Sequence, residues 1–270
     1  MEPLIIGHRG AAAVAPENTL VSVQRAFADG ADGIEFDVQL AADDVPVVIH
    51  DYTLRRTTGK RGVPSDFTAV ELGALDAGSW FARRYPALSQ PEYARATIPT
   101  LDEVFAACPA GWLYVELKCR PQQGARLAAI VAQMVLEHGL TQRVVVESFA
   151  HDAIAEVKRH APQIRTAALF DVNWRRLLPS GRRFVAAAQR VNADEIALHT
   201  TLATKKVVAE ARTAGLKTVV WTADAPEWAQ RAHEYGLHAV ITNHPGRMRA
   251  AFADFRRQDL AHETHKRHEN

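Results

Sequence analysis

Along the chain, short apolar runs alternate with stretches in which apolar residues recur every three or four positions. The runs Leu4–Gly7, Ile34–Leu40, Trp112–Lys118, Val144–Ser148, Arg165–Phe170, Glu195–His199, Thr218–Thr222 and Ala239–Thr242 read as strands. The stretches Glu17–Asp29, Leu101–Ala107, Gly124–His138, Asp152–His160, Arg182–Val191, Thr204–Ala214, Pro226–Tyr235 and a last one from Gly246 onward read as amphipathic helices. Helix punctuation agrees: Pro16-Glu17-Asn18 opens the first, and Gly30, Gly139, Gly215 and Gly236 sit just past four ends. Strands each followed by a helix predict an α/β protein of the (β/α)8 type, a TIM barrel, and 270 residues suit it. A doubly wound open sheet competes, but no GxGxxG follows the first strand.

One segment breaks the rhythm. From Tyr52 to Thr100 the chain is rich in Gly, Pro, Ser, Thr and Arg and has little helical period. So long a stretch without regular elements in a compact domain predicts a functional insertion. It leaves the barrel after the second strand, so a small subdomain or lid over the active-site end is expected. A single domain over 1–250 follows, with 251–270 as a helix end and polar tail. The three histidines from His262 onward read as part of that solvated tail rather than as a metal tract.

Within Gly33–Leu40, residues two apart share a face, so Glu35 and Asp37 project side by side while Ile34, Phe36 and Val38 cover the other side. Paired carboxylates inside an apolar strand are rarely buried unless paired or bound to metal. The plainer reading is an edge strand whose acids face water. In a barrel, active groups sit at the C-terminal strand ends, and there the sequence places His8 and Arg9, Glu35 and Asp37, then His50 and Asp51 after the run Val47-Val48-Ile49, then Glu116 and Lys118. A lone strand-end histidine is usually structural, and His151, His199 and His244 are read so. The convergence is harder to explain structurally.

Composition narrows the classes. The chain is 47% hydrophobic and 23% charged, with no apolar run able to span a bilayer, and a net charge of +1 argues against a nucleic-acid binder. Two cysteines, Cys108 and Cys119, have neither a disulfide framework nor CxxC spacing. The apolar run Leu4-Ile5-Ile6 stops at Gly7-His8-Arg9, unlike a signal peptide, and a cytoplasmic enzyme without stable membrane association is expected.

His8-Arg9-Gly10, Pro16-Glu17-Asn18-Thr19, Ile34-Glu35-Phe36-Asp37 and His50-Asp51 with Leu54, Arg56, Thr57, Thr58 and Gly59 resemble the glycerophosphodiester phosphodiesterase family. So do Leu75-Asp76-Ala77-Gly78-Ser79-Trp80-Phe81, Ile98-Pro99-Thr100-Leu101, Glu116-Leu117-Lys118, Ser148-Phe149, Trp221-Thr222 and Ile241-Thr242-Asn243-His244-Pro245. These matches are ordered and run from about Ile5 to Pro245. Arg55, Asp224 and His238-Ala239 depart from the pattern.

The resemblance implies a TIM-barrel enzyme that hydrolyses small glycerophosphodiesters, such as glycerophosphocholine or glycerophosphoethanolamine, to sn-glycerol 3-phosphate and an alcohol. It implies Glu35, Asp37 and Glu116 as ligands of one divalent cation; three carboxylates suit Mg²⁺ or Ca²⁺, and admit Mn²⁺, better than zinc. It implies His8 and His50 as the acid–base pair, with His8 as base and His50 as acid. Arg9 and Lys118 would bind the phosphate and Trp221 would wall the substrate pocket, while Glu17 and Asn18 position the His8 loop. A likeness to phosphoinositide-specific phospholipases brings in the neighbouring glycerol hydroxyl as nucleophile beside water. A homodimer is compatible with the family pattern. A lysolipid or sphingolipid phospholipase, and a barrel without activity that binds phosphorylated ligands, stand as the competing readings.

Overall fold

The computed structural model describes residues 2–120, 122–172 and 181–268, with side chains to 257. Nine strands form one sheet: β1 (Leu4–His8), β2 (Gly33–Leu40), β3 (Pro46–Val48), β4 (Trp112–Leu117), β5 (Val144–Ser148), β6 (Arg165–Phe170), β7 (Glu195–His199), β8 (Lys217–Trp221) and β9 (Ala239–Thr242). All but β3 are parallel, and β1 pairs with both β9 and β2, closing an eight-stranded TIM barrel. The short β3 lies antiparallel on β2, outside the ring.

The helices are α1 (Leu20–Ala28), α2 (Arg55–Thr58), α3 (Ala69–Gly73), α4 (Ser79–Arg84), α5 (Leu101–Ala107), α6 (Gly124–Glu137), α7 (His151–His160), α8 (Gly181–Arg190), α9 (Lys205–Thr213), α10 (Glu227–Tyr235) and α11 (Pro245–His268). Apart from α2, α3 and α4 of the 52–100 segment, their buried apolar residues pack on the outward faces of the strands. Ile34, Phe36 and Val38 of β2 join that outer core. The inward positions hold Ile6, Tyr114, Val145, Ala167, Leu169, Ala197, Val219 and Ile241, which fill the barrel axis. Every residue of β2 is buried, so the alternative of an exposed edge strand fails.

Two expected boundaries change. The first helix begins at Leu20, capped by Thr19 whose hydroxyl accepts from Ser22 N, rather than at Glu17. Pro16-Glu17-Asn18 is a loop, and Asn18 sits at φ +57°, a left-handed conformation that a helix start does not use. At the other end α11 runs on to His268, where a tail from His262 was expected; Gln258 to His268 contain neither Gly nor Pro to stop it. The last two positions of the expected tail, 269–270, lie outside the described residues.

The segment from Tyr52 to Thr100 is not structureless. It contains α2, α3, α4 and three 3-10 turns. Leu54, Ala69, Leu72, Ala77 and Ile98 pack with Ala41, Val47 and Ile49 of the barrel edge. Phe81 is fully buried, edge-on to Trp80 and Tyr93, so this aromatic pair forms the segment's own core. Tyr93 ties it down by donating to Val14 O at 3.0 Å. Replacing Phe81 by Ala removes the centre of that core, and denaturant unfolding should show a loss of about 3 kcal/mol or more.

Candidate active site

Register brings the site together. Parallel pairing sets His8 of β1 beside Glu35 of β2, and Asp37 of β2 beside Glu116 of β4. Residues in register on adjacent strands stand about 4.8 Å apart at the backbone. All four point inward at the C-terminal end, so Glu35, Asp37 and Glu116 converge. Each is buried, and each offers an oxygen within 4.8 Å of the other two.

Three buried carboxyls this close raise one another's cost of ionisation. Burial, with the charges of Asp37 and Glu116, pushes Glu35 well above the usual carboxylate range. Glu116 is pushed up to about 7 by burial and Asp37, against the pull of Lys118. Burial also works against Asp37, but Arg9, Lys118 and the amide of Asn18 prevail and hold it below its usual range. The contacts are direct: Lys118 Nζ lies 2.8 Å from Glu116 Oε1 and 3.4 Å from Asp37 Oδ1, and Arg9 Nε lies 3.3 Å from Asp37 Oδ2. Asn18 Nδ2 donates to Asp37 Oδ2 at 2.8 Å. Among the described residues Glu35 Oε1 and Asp37 Oδ1 accept no hydrogen bond, although Lys118 stands 3.4 Å from the latter. An all-oxygen donor set with excess negative charge and unused lone pairs fits a hard divalent cation.

His8 and His50 flank this cluster, each oriented from behind. His8 Nδ1 is 2.6 Å from Asn243 Oδ1, so Nδ1 carries the proton and Nε2 faces inward, 3.7 Å from Glu35 Oε2. Asn243 is itself clamped: its Nδ2 and backbone N–H both donate to Asp224, which also accepts from Thr242. Burial and the charge of Arg9 lower His8 to about 4, leaving the imidazole neutral at pH 7. His50 Nδ1 is 2.8 Å from Asp51 Oδ1. Burial lowers its pKa too, with the charge of Asp37 pulling the other way.

Arg56 of α2 grips both Asp51, at 2.7 and 2.9 Å, and Glu17, at 2.7 and 2.8 Å; Glu17 in turn accepts from Arg9 at 2.8 Å. One chain of charge-assisted contacts therefore joins the Arg9 loop, the 52–100 segment and His50. Arg9 takes φ +50° and Gly10 φ +81°; a Cβ at Gly10 would stand 2.5 Å from the backbone of Ser22.

Glu35, Glu116, His8, His50, Arg9 and Lys118 line a cavity of about 260 Å³ that Leu169, Ile241, Phe149, Trp221 and Asp171 also line. Trp221 packs edge-on to Phe149 and to His199, which places His199 behind the wall rather than in the cavity. His151 is structural, bonded to Leu169 O. A second, outer space of about 450 Å³ shares His50, Glu116, Lys118 and Phe149 with the first and continues along Tyr52 and Cys119. The sequence reading missed Asp224 as the clamp on Asn243. It also missed Glu147, a fourth buried acid on the cavity lining. An acid closing the run Val144-Val145-Val146 was the available signal, of the same kind that singled out Glu35.

Residues 8–247 match the model of the glycerophosphoryl diester phosphodiesterase family. The chain belongs to that family. It is 32% identical over 251 residues to a glycerophosphodiester phosphodiesterase of Caldanaerobacter subterraneus subsp. tengcongensis, covering 91% of this chain and 96% of the relative. It is 30% identical to another from Bacillus subtilis, over 90% of this chain and 84% of that one. Among solved structures, an Oleispira antarctica phosphodiesterase in complex with the product sn-glycerol-3-phosphate superposes with a TM-score of 0.82 at 28% identity, covering 93% and 97% of the two chains. A Silicibacter pomeroyi structure, assigned to the glycerophosphoryl diester phosphodiesterases, also gives 0.82, at 29% identity over 94% of each chain. No helix among the described residues is long and apolar enough to cross a membrane.

The hydrogen bond that His8 donates to Asn243 raises the His8 pKa against burial. Removing it in Asn243→Ala should move the His8 titration to lower pH, followed by NMR of the imidazole C–H signals. An unchanged or higher value would detach Asn243 from His8.

Proposed function

We propose that this protein hydrolyses glycerophosphodiesters to sn-glycerol 3-phosphate and an alcohol, with a divalent cation held by Glu35, Asp37 and Glu116. The observation that carries this is a single cavity in which three clustered carboxyls are flanked by His8 and His50. The bound cation would supply Lewis-acid stabilisation of negative charge on the phosphoryl group.

The remaining work falls to the chain's own residues. Arg9 and Lys118 bind and orient the phosphate oxygens, and their charges oppose the negative charge gathering there. The tautomer of His8 leaves Nε2 free to take a proton from the attacking water. His50 stands where the two spaces meet. That position suits protonation of the departing alcohol, which would occupy the outer space. In the free site burial keeps His50 neutral; an anionic diester arriving beside it favours the charged imidazolium, so substrate binding itself arms the acid. Asp51, fixed by Arg56, stabilises that charge.

The test is release of glycerol 3-phosphate from glycerophosphocholine and glycerophosphoethanolamine, with and without EDTA. Activity on lysolipid alone would replace the proposed substrate class, and no activity on any diester with any metal would replace the enzyme reading. His8→Ala and His50→Ala should each lower kcat by about 10²-fold or more. Glu35→Gln should weaken cation binding in calorimetry more than it lowers Tm.

Protons and the cation compete for the same oxygens. Because Glu116 is pushed up to about 7 and Glu35 well above its usual range, lowering the pH through about 7 adds protons that must leave before the ion binds. The rise in Tm produced by Mg²⁺ or Ca²⁺ should therefore be larger at pH 8 than at pH 5.5. An equal or larger rise at pH 5.5 would place the ion elsewhere.

A further inference from the structure

Glu147 has no part in the chemistry derived so far. It lies on β5, in register with Glu116 on β4 and Ala167 on β6, and lines the inner cavity. It is 1% exposed, yet its Oε2 accepts no hydrogen bond, and no ion pair reaches it among the described residues. It does not belong to the cluster of Glu35, Asp37 and Glu116. Leaving a buried polar group unpaired costs more than an ordinary hydrogen bond contributes, so such groups in folded proteins call for an explanation.

A second orphan lines the same cavity. Trp221 Nε1 is buried and donates to nothing among the described residues. One group is an acceptor and the other a donor, which is the complement of a hydroxyl. Either protonation state of a carboxyl keeps an acceptor oxygen, so this complementarity holds whatever the charge of Glu147. Leu169, Ile241 and Phe149 give the same lining apolar surface, which suits carbon-bound hydrogens, and Asp171 lines it as well. Arg9 and Lys118, the phosphate-binding cations, line the same cavity. Its volume of about 260 Å³ equals that of roughly nine waters, enough for a glycerol phosphate.

We propose that Glu147, assisted by Trp221 Nε1, binds the free hydroxyls of the substrate's glycerol and so selects glycerophosphodiesters over phosphodiesters without a polyol. This rests on the glycerophosphodiesterase reading above and specifies which end of the substrate the inner cavity takes. A site built around a substrate hydroxyl discriminates strongly, because an analogue lacking it leaves the site's polar groups buried and unpaired.

The experiment compares glycerophosphocholine with bis(4-nitrophenyl) phosphate, a diester with no hydroxyl, on the metal-loaded enzyme. Glu147→Leu keeps the volume and removes the acceptor. It should lower kcat/KM on glycerophosphocholine by about 10- to 100-fold, as expected for a lost hydrogen bond to a carboxyl, and change bis(4-nitrophenyl) phosphate hydrolysis by less than about threefold. Glu147→Gln, which retains an oxygen acceptor, should recover most of the loss. Equal losses on both diesters would make Glu147 structural, and no loss on either would remove it from the site; both overturn the proposal.

Binding gives a readout independent of turnover and of the Leu variant's folding. Calorimetry on the wild type should show tighter binding of sn-glycerol 3-phosphate than of n-propyl phosphate, and the preference should fall in Glu147→Leu or Glu147→Ala, whichever folds. Equal affinity of the wild type for the two esters overturns the proposal. A wild type that cleaves bis(4-nitrophenyl) phosphate but no glycerophosphodiester overturns the functional reading first, and is recognisable as such.

Discussion

Three acids held against their own repulsion set the terms for everything else at this end of the barrel. No loop would keep Glu35, Asp37 and Glu116 within 4.8 Å of one another. They stay because each rides on a strand hydrogen-bonded to neighbours on both sides, whose outward residues are locked in the core. Arg9, Lys118 and Asn18 stabilise the charge on Asp37, while burial, and then the neighbouring acids, push Glu35 and Glu116 up. A buried cluster of this kind contributes little to stability and much to selectivity for what can enter it.

The two imidazoles are steered by unrelated parts of the chain. His8 is set through Asn243 by Asp224, from the loops that follow the last two strands. His50 is set through Asp51 by Arg56, from the segment outside the ring. The groups directly behind the two rings differ, and so does the direction of the proton. An amide oxygen behind His8 accepts the Nδ1 proton and fixes a neutral tautomer, whereas an acid behind His50 favours the protonated ring. In the proposed reaction, that difference in backing group would separate the base from the acid.

Much of this was visible in the linear chain. Alternation within Gly33–Leu40 put the two acids on one face, and the strand order put His8, His50, Glu116 and Lys118 beside them. The helix start at Glu17 was misread because Pro-Glu-Asn is also a loop sequence when Asn takes a left-handed backbone, and Asn18 does so in order to reach Asp37. Partners such as Asp224 with Asn243, or Arg56 with Glu17, join positions 19 and 39 residues apart through contacts that no local pattern encodes. Glu147 was legible in principle, since an acid inside a run of valines is as anomalous as one beside Phe36.

The paired spaces that meet at His50 also bear on the order of events after bond cleavage. If Arg9 and Lys118 hold the phosphate in the inner chamber as proposed, the freed alcohol would stand in the outer one, nearer the exit, while the phosphate monoester stayed held. Dissociation would then run in sequence, the small neutral or cationic fragment first and the anion last. Turnover in such an arrangement is governed less by breaking the ester than by how quickly the enzyme surrenders the fragment it holds most firmly.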